Sequence, residues 1–243
     1  MKLEKYLDEI VKFLKNYLKK AHANGYTLGL SGGVDSALVL ALLLKAVKKE
    51  LIHVVIIPIE SDEKDAKCAI NLCQKFDIKY DLVDLTNSYR TIARDISNIH
   101  PLTPLAKSNI KVRLRMVTLY AIAQSENSLV VGTDNFDERY VGYFTKFGDG
   151  ACDLLPIVKL TKSEVYQASK LLNVTSEIIN RAPSAGLFTN QNDETDLGVS
   201  YKIIDNYLLG KKVNKKDQKR IEYLHKISEH KRKKIVEPKD FKR

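Results

Sequence analysis

Apolar and polar positions alternate between two periods along this chain. Leu3, Leu7, Ile10, Leu14, Tyr17 and Ala21 recur at spacings of three and four among lysines and acids, which predicts an amphipathic helix resting on something apolar. A first strand is predicted over 26–30, and the almost wholly apolar run over 36–47 predicts a helix buried on most sides. A second buried strand at 51–59, a helix over 62–76 and a third strand at 78–83 follow. Helices over 84–99 and 105–126 flank a loop marked by Pro101 and Pro104, and Leu129, Val130 and Val131 form a fourth strand. Strands alternating with helices predict an α/β fold, a doubly wound and mainly parallel sheet flanked by helices, with ligands at the carboxyl ends of the strands. Further helices are predicted over 161–172, 194–209 and 215–228. Two stretches have no clear period, the glycine-punctuated 142–151 and the irregular 182–193, and both are candidate lids over a site.

One junction carries chemistry. Where the first strand gives way to the apolar helix the chain reads Gly29-Leu30-Ser31-Gly32-Gly33-Val34-Asp35-Ser36. Backbone N–H groups gathered at a helix N-terminus attract anions. Two glycines allow positive φ and a close approach, and Ser31 and Ser36 add hydroxyl donors. The loop lacks the Gly-Lys-Ser/Thr ending of a Walker A motif and the spacing of a dinucleotide fold. It carries Asp35 instead. A carboxylate beside a phosphate repels it unless a hard divalent cation sits between them, so Asp35 predicts Mg²⁺. A second carboxylate is needed from another strand end, and the stretch Thr133 to Arg139 offers Asp134, Asp137 and Glu138. Glu138 is the candidate metal ligand; the competing reading makes Asp134 and Asp137 helix caps and Glu138 a solvated acid.

Composition narrows the picture. At 243 residues and 44% hydrophobic content the chain suits a single domain over 1–243 with a sizeable core. No apolar run approaches the roughly 18 residues needed to cross a membrane, and the charged N-terminus is unlike a signal peptide, so a cytoplasmic location is expected. Cys68, Cys73 and Cys152 are odd in number and form no C-x-x-C pair, which argues for reduced, partly buried thiols rather than disulfides or zinc. Of the net +10, +9 lies in residues 211–243, where 14 basic residues face 5 acidic ones. Such a block reads first as a solvated terminal helix and arm, with nucleic acid or an acidic substrate as alternatives.

The six residues Ser31 to Ser36 resemble the pyrophosphate-binding loop of the N-type ATP pyrophosphatases, the PP-loop family. Further blocks follow in order: KVRLRM from Lys111, GTDNFDE from Gly132, VGYFTKFGDG from Val141, DLLPIVKLTKSEV from Asp153, RAPSAGL from Arg181, QNDETDLG from Gln191 and EHKR from Glu229. In this order and spacing the set is similar to the ammonia-dependent NAD synthetases, over residues 3–233. The resemblance implies that Gly29, Leu30, Ser31, Gly32, Gly33, Val34, Asp35 and Ser36 hold ATP, with Thr133, Lys162 and Ser184. It implies that Asp35 and Glu138 bind Mg²⁺ and that Arg113, Lys146, Asp153, His230 and Lys231 contact deamido-NAD.

It implies the chemistry as well. The substrate carboxylate is adenylated by ATP, pyrophosphate leaves, and ammonia displaces AMP to give NAD. Asp35, Lys162 and Asp149 are the candidate catalytic residues, Asp149 as an acceptor of a proton from ammonium. Family members are homodimers, to which the first helix and the 105–126 helix are candidate contributors, and the glutamine-using relatives carry an extra amidase domain for which this chain has no room. Ammonia is therefore the expected amine source, with neither nucleic acid nor membrane as partner. Departures from the family pattern are Ala151 in place of glycine, Ser184 in place of threonine, and Asp134-Asn135-Phe136 where Asp-His-Ala is common. Two alternatives remain: a PP-loop enzyme that adenylates a tRNA base, and a non-catalytic nucleotide-binding or nucleic-acid-binding module.

Overall fold

A computed structural model of the chain describes residues 2–181 and 192–238. Four strands form one parallel sheet, β1 (Gly25–Gly29), β2 (Ile52–Ile56), β3 (Tyr80–Leu82) and β4 (Ser128–Val130), in the order β3-β2-β1-β4. Tyr26 in β1 stands between Ile52 and Leu129. In chain order the helices are α1 (Leu3–Lys20), α2 (Val34–Ala46), α3 (Glu63–Phe76), α4 (Thr86–Ser97), α5 (Pro104–Ser125), α6 (Phe136–Val141), α7 (Lys162–Leu171), α8 (Ser176–Ile179), α9 (Asp193–Leu197), α10 (Tyr201–Leu208), α11 (Lys215–Ile227) and α12 (Glu229–Arg232).

Parallel strands need covering on both faces. One face packs Tyr26, Leu28, Val54 and Ile56 against α1, α2, α3 and α7, and the other packs Val55, Ile57 and Ile59 against α4 and α5. The predicted burial of α2 is borne out: Leu38, Leu40, Leu42 and Leu43 are fully buried. Each such leucine stabilises the fold by about 1.5–3 kcal/mol. The stripe of α1 lies on this core through Leu7, Ile10, Leu14 and Leu18, so the last contact is Leu18 rather than Ala21. The Tyr26 hydroxyl donates to the Leu14 carbonyl at 2.7 Å and pins α1 in place.

Beyond shifts of a residue or two at element ends, three larger differences from the sequence pattern stand out. β2 stops at Ile56, two residues before Pro58, which has no N–H for a ladder. The helix predicted over 194–209 is two, α9 and α10, because Gly198 takes φ +69 and ends the first. The basic terminal segment is not merely a solvated arm. Ile221 of α11 is buried in a second cluster with Val141, Leu197, Val199, Tyr201 and Ile204, which joins α11 to α6 and α10.

Candidate active site

The strand order reverses beside β1: the chain leaves β1 for β2 on one side and later returns to β4 on the other. Loops following the carboxyl ends of β1 and β4 therefore diverge and leave a crevice between them, the usual ligand position in such sheets. A cavity of about 890 Å³ opens there, lined by residues 29–36, by Gly132, Thr133, Asp134 and Glu138, and by Lys162.

Only one of the paired glycines needs glycine's freedom. Gly32 has φ +81, and a Cβ there would lie 2.3 Å from the Asp65 carbonyl oxygen of α3. Gly33 is extended at φ −88 and is the N-cap of α2, with no side chain capping the first turn. The amides of Val34, Asp35 and Ser36 consequently border the cavity at a positive helix end. The two serines brace the loop. Ser31 Oγ lies 3.0 Å from Ser36 Oγ and accepts from the Gly33 N–H at 3.2 Å, while Ser36 Oγ donates to the Gly33 carbonyl at 3.1 Å.

Asp35 and Glu138 come together as expected, with a cation between them. Lys162 Nζ is 2.6 Å from Asp35 Oδ2 and 3.0 Å from Glu138 Oε1. Burial disfavours the ammonium, but the two carboxylates outweigh it and raise the Lys162 pKa. Burial pushes Glu138 up to about 7, with Lys162 pulling it down and Asp35 pushing it up. Asn135 aligns both acids. Its Nδ2 donates to Asp35 Oδ1 at 2.8 Å, and it caps α6 in a reciprocal box with Glu138. The competing reading of Asp134 and Asp137 as helix caps does not hold, because Asn135 is the N-cap. Asp134 is buried in an ion pair with Arg139, and Asp137 is buried at the start of α7.

That start is held from three sides. Thr161 and Glu164 form a capping box, and the Lys162 N–H is shared by Asp137 Oδ2 at 2.9 Å and Asp205 Oδ1 at 3.1 Å. Burial, and then hydrogen bonding and repulsion from Asp205, raise Asp137 to about 9. The Tyr201 hydroxyl stands 3.3 Å from Glu138 Oε1 and 3.2 Å from Asp193 Oδ2, and its ring faces Lys162 Nζ at 4.8 Å.

The donor set suits Mg²⁺. Two carboxylates converge on one point already occupied by a positive charge, and among the described residues no group of three His, Cys, Asp or Glu side chains forms a closed cage. Mg²⁺ is usually held by one or two carboxylates, with substrate phosphates and water completing the shell.

Arg113, Thr133, Lys146, Asp149, His230 and Lys231 also line the cavity. Arg113 donates to the Lys146 carbonyl at 3.2 Å, which brings two of the predicted dinucleotide contacts together. Asp149 Oδ1 accepts from the Thr145 N–H at 2.7 Å. Lys231 donates to the carbonyls of Gly142 and Phe144 at 2.8 and 2.7 Å, so it also ties down the 142–151 loop. Asp153 is not part of the lining. Its Oδ2 accepts from the Val130 N–H at 2.7 Å, a brace on β4. Ser184 lies outside the described residues. Sequence reasoning passed over Asn135 and Tyr201; the Asn-x-x-Glu spacing of a capping box was a signal for the first, whereas nothing local marks the second.

A model of the NAD synthase family matches residues 6–236. The chain belongs to the NAD synthase family. Within it, the chain is 47% identical over 244 residues to the NH3-dependent NAD+ synthetase of Mesoplasma florum, covering 100% of both chains. Among solved structures it superposes on an NMN synthetase from Francisella tularensis with a TM-score of 0.94 and 38% identity, covering 99% of this chain and 100% of that one. It superposes on the NH3-dependent NAD synthetase of Campylobacter jejuni with a TM-score of 0.80 and 28% identity, covering 98% and 100%. These synthetase folds agree with the predicted α/β class, and the family membership does not favour the tRNA-modifying alternative.

Proposed function

We propose that this chain is a C–N ligase that amidates deamido-NAD with ammonia, converting ATP to AMP and pyrophosphate. The observation that supports it most is the meeting of the 29–36 loop with Asp35, Glu138 and Lys162 at one crevice, in a chain of this family. The nicotinate carboxylate attacks the α-phosphorus of ATP, the bond to the β-phosphate oxygen breaks, and pyrophosphate leaves. Ammonia then attacks the acyl carbon and AMP departs with the carboxylate oxygen. Amides of Val34 to Ser36 and the Lys162 ammonium lie where they can hold the charge on the departing pyrophosphate. Arg113 and Lys146 supply positive charge for the anionic nucleotide, with His230 and Lys231 at the same rim. In this reading Asp149 accepts the proton that ammonium must lose. Asp35 and Glu138 would hold Mg²⁺, which when bound neutralises phosphate charge.

A homodimer in the cytoplasm belongs to this reading, with all of the activity within 1–243 and ammonia used directly. Leu105 and Val117 of α5 stand 65% and 57% exposed and Phe13 of α1 stands 44% exposed, so both helices offer apolar side chains to a subunit contact. Among the described residues no helix is long and apolar enough to cross a membrane. The superposition on the NMN synthetase of Francisella tularensis favours a second reading of the acceptor, nicotinate mononucleotide in place of the dinucleotide. Incubating the protein with ATP, Mg²⁺ and ammonium or glutamine, and with either acceptor, tests both. Amide product and AMP with ammonium alone support the ligase, the preferred acceptor decides between the readings, and no product with either acceptor overturns both.

A further inference from the structure

The position that a divalent ion needs is taken by the protein's own lysine. From the 2.6 and 3.0 Å contacts of Lys162 Nζ with Asp35 Oδ2 and Glu138 Oε1, we infer that Lys162 is an internal counter-cation that must leave this carboxylate pair before a metal can enter, so that free divalent metal alone is a poor ligand and phosphate draws it in. The inference rests on the Mg²⁺ reading of Asp35 and Glu138.

Three observations carry it. A metal bound at 2.0–2.1 Å from both oxygens would fall on the space the ammonium fills, and two cations so close repel strongly in a site shielded from water. Lys162 is shielded in this way: its side chain is 5% exposed, against 17% and 15% for those of Asp35 and Glu138. The backbone leaves it free to change partner. The helix start is fixed by Thr161, Asp137 and Asp205, so motion of the ammonium is confined to the four-carbon stem. The alternative partner is at hand, because the loop that is proposed to hold the phosphates lines the same cavity as Lys162. A phosphate there would give the ammonium a new counter-ion as the metal takes the old ones. Metal and nucleotide binding are then positively coupled through one side chain, which also keeps the carboxylate pair neutralised until both arrive.

Mn²⁺ binding to the protein without nucleotide, followed by electron paramagnetic resonance of the free ion, tests this. Lys162→Met removes the competing cation, and Mn²⁺ should bind about tenfold or more tightly than to the wild type, because the conformational tax on the site disappears. Lys162→Arg keeps the positive charge and should bind as weakly as the wild type. Equal affinity of wild type and Lys162→Met overturns the inference while leaving the metal site intact, provided that Asp35→Asn weakens binding in both. Insensitivity to Asp35→Asn in every background overturns the metal-site reading, and the inference falls with it. A second readout needs no lysine variant. Reductive methylation of the wild type, read residue by residue by mass spectrometry, should modify Lys162 faster in millimolar Mn²⁺ than without it, as the buried ammonium is expelled. An unchanged rate at Mn²⁺ concentrations that occupy the site overturns the exchange.

Discussion

Replacing each of the paired glycines in turn separates backbone conformation from mere smallness. Gly32→Ala forces an L-residue into the left-handed region, which costs about 1–2 kcal/mol. Its new methyl would also sit 2.3 Å from the Asp65 carbonyl oxygen, and this is backbone that cannot swing away as a side chain would. Overpacking of that kind adds about 1–3 kcal/mol, for a total loss of about 2–5 kcal/mol. Gly33→Ala meets neither obstacle: φ is −88, and the nearest atom to the added Cβ is Ser31 Oγ at 3.3 Å. Its net effect should stay within about 1 kcal/mol, because a less flexible unfolded chain offsets slight crowding. Equilibrium urea unfolding of the two variants beside the wild type measures both numbers. Midpoints that fall together, or a larger loss for Gly33→Ala, would refute this reasoning and with it the conformational role given to Gly32.

Stability should also depend on Asp137. Its folded pKa of about 9 lies far above that of an unfolded aspartate, so its contribution is fully present below about pH 4 and is lost as pH rises towards 9. Asp137→Asn cannot ionise and should flatten that decline, by up to about 1.4 kcal/mol per pH unit, in urea titrations repeated across this range. The cysteines should be inert in the folded protein: burial pushes Cys73 up to about 11, and burial with the nearby Asp134 pushes Cys152 up to about 12. Iodoacetamide at pH 8 should label them only after denaturant is added, and rapid native labelling would contradict the packing around them. Lys231→Met removes the donors to the Gly142 and Phe144 carbonyls and should cost about 1–3 kcal/mol, with faster proteolysis within 142–151.

Much of the fold was legible in the chain because period and burial agree. The apolar helix α2 and the stripe of α1 are local patterns, and so is the strand-to-helix turn at 29–36. Asp35 and Glu138 could be paired in advance since each follows a strand end, and the ordered motifs supplied the rest. What stayed hidden depends on tertiary neighbours. Gly32 and Gly33 look alike in sequence, and only the approach of α3 decides which one requires positive φ. Asp153 looks like any other site acid, yet the geometry of β4 turns it into a brace. Asp137 reads as a helix cap until α7 and Asp205 close over it. Tyr201 reaches Glu138 across 63 residues of sequence, a distance that no local pattern records.

In the proposed reaction the substrate carboxylate is activated by attack on the α-phosphorus of ATP. Tracing ¹⁸O from a labelled nicotinate carboxylate through one turnover tests it most directly, with mass spectrometry of AMP, pyrophosphate and any inorganic phosphate. Attack on the α-phosphorus leaves one ¹⁸O in AMP and none in pyrophosphate; ¹⁸O in inorganic phosphate together with ADP would mean attack on the γ-phosphorus and would overturn the proposed reaction.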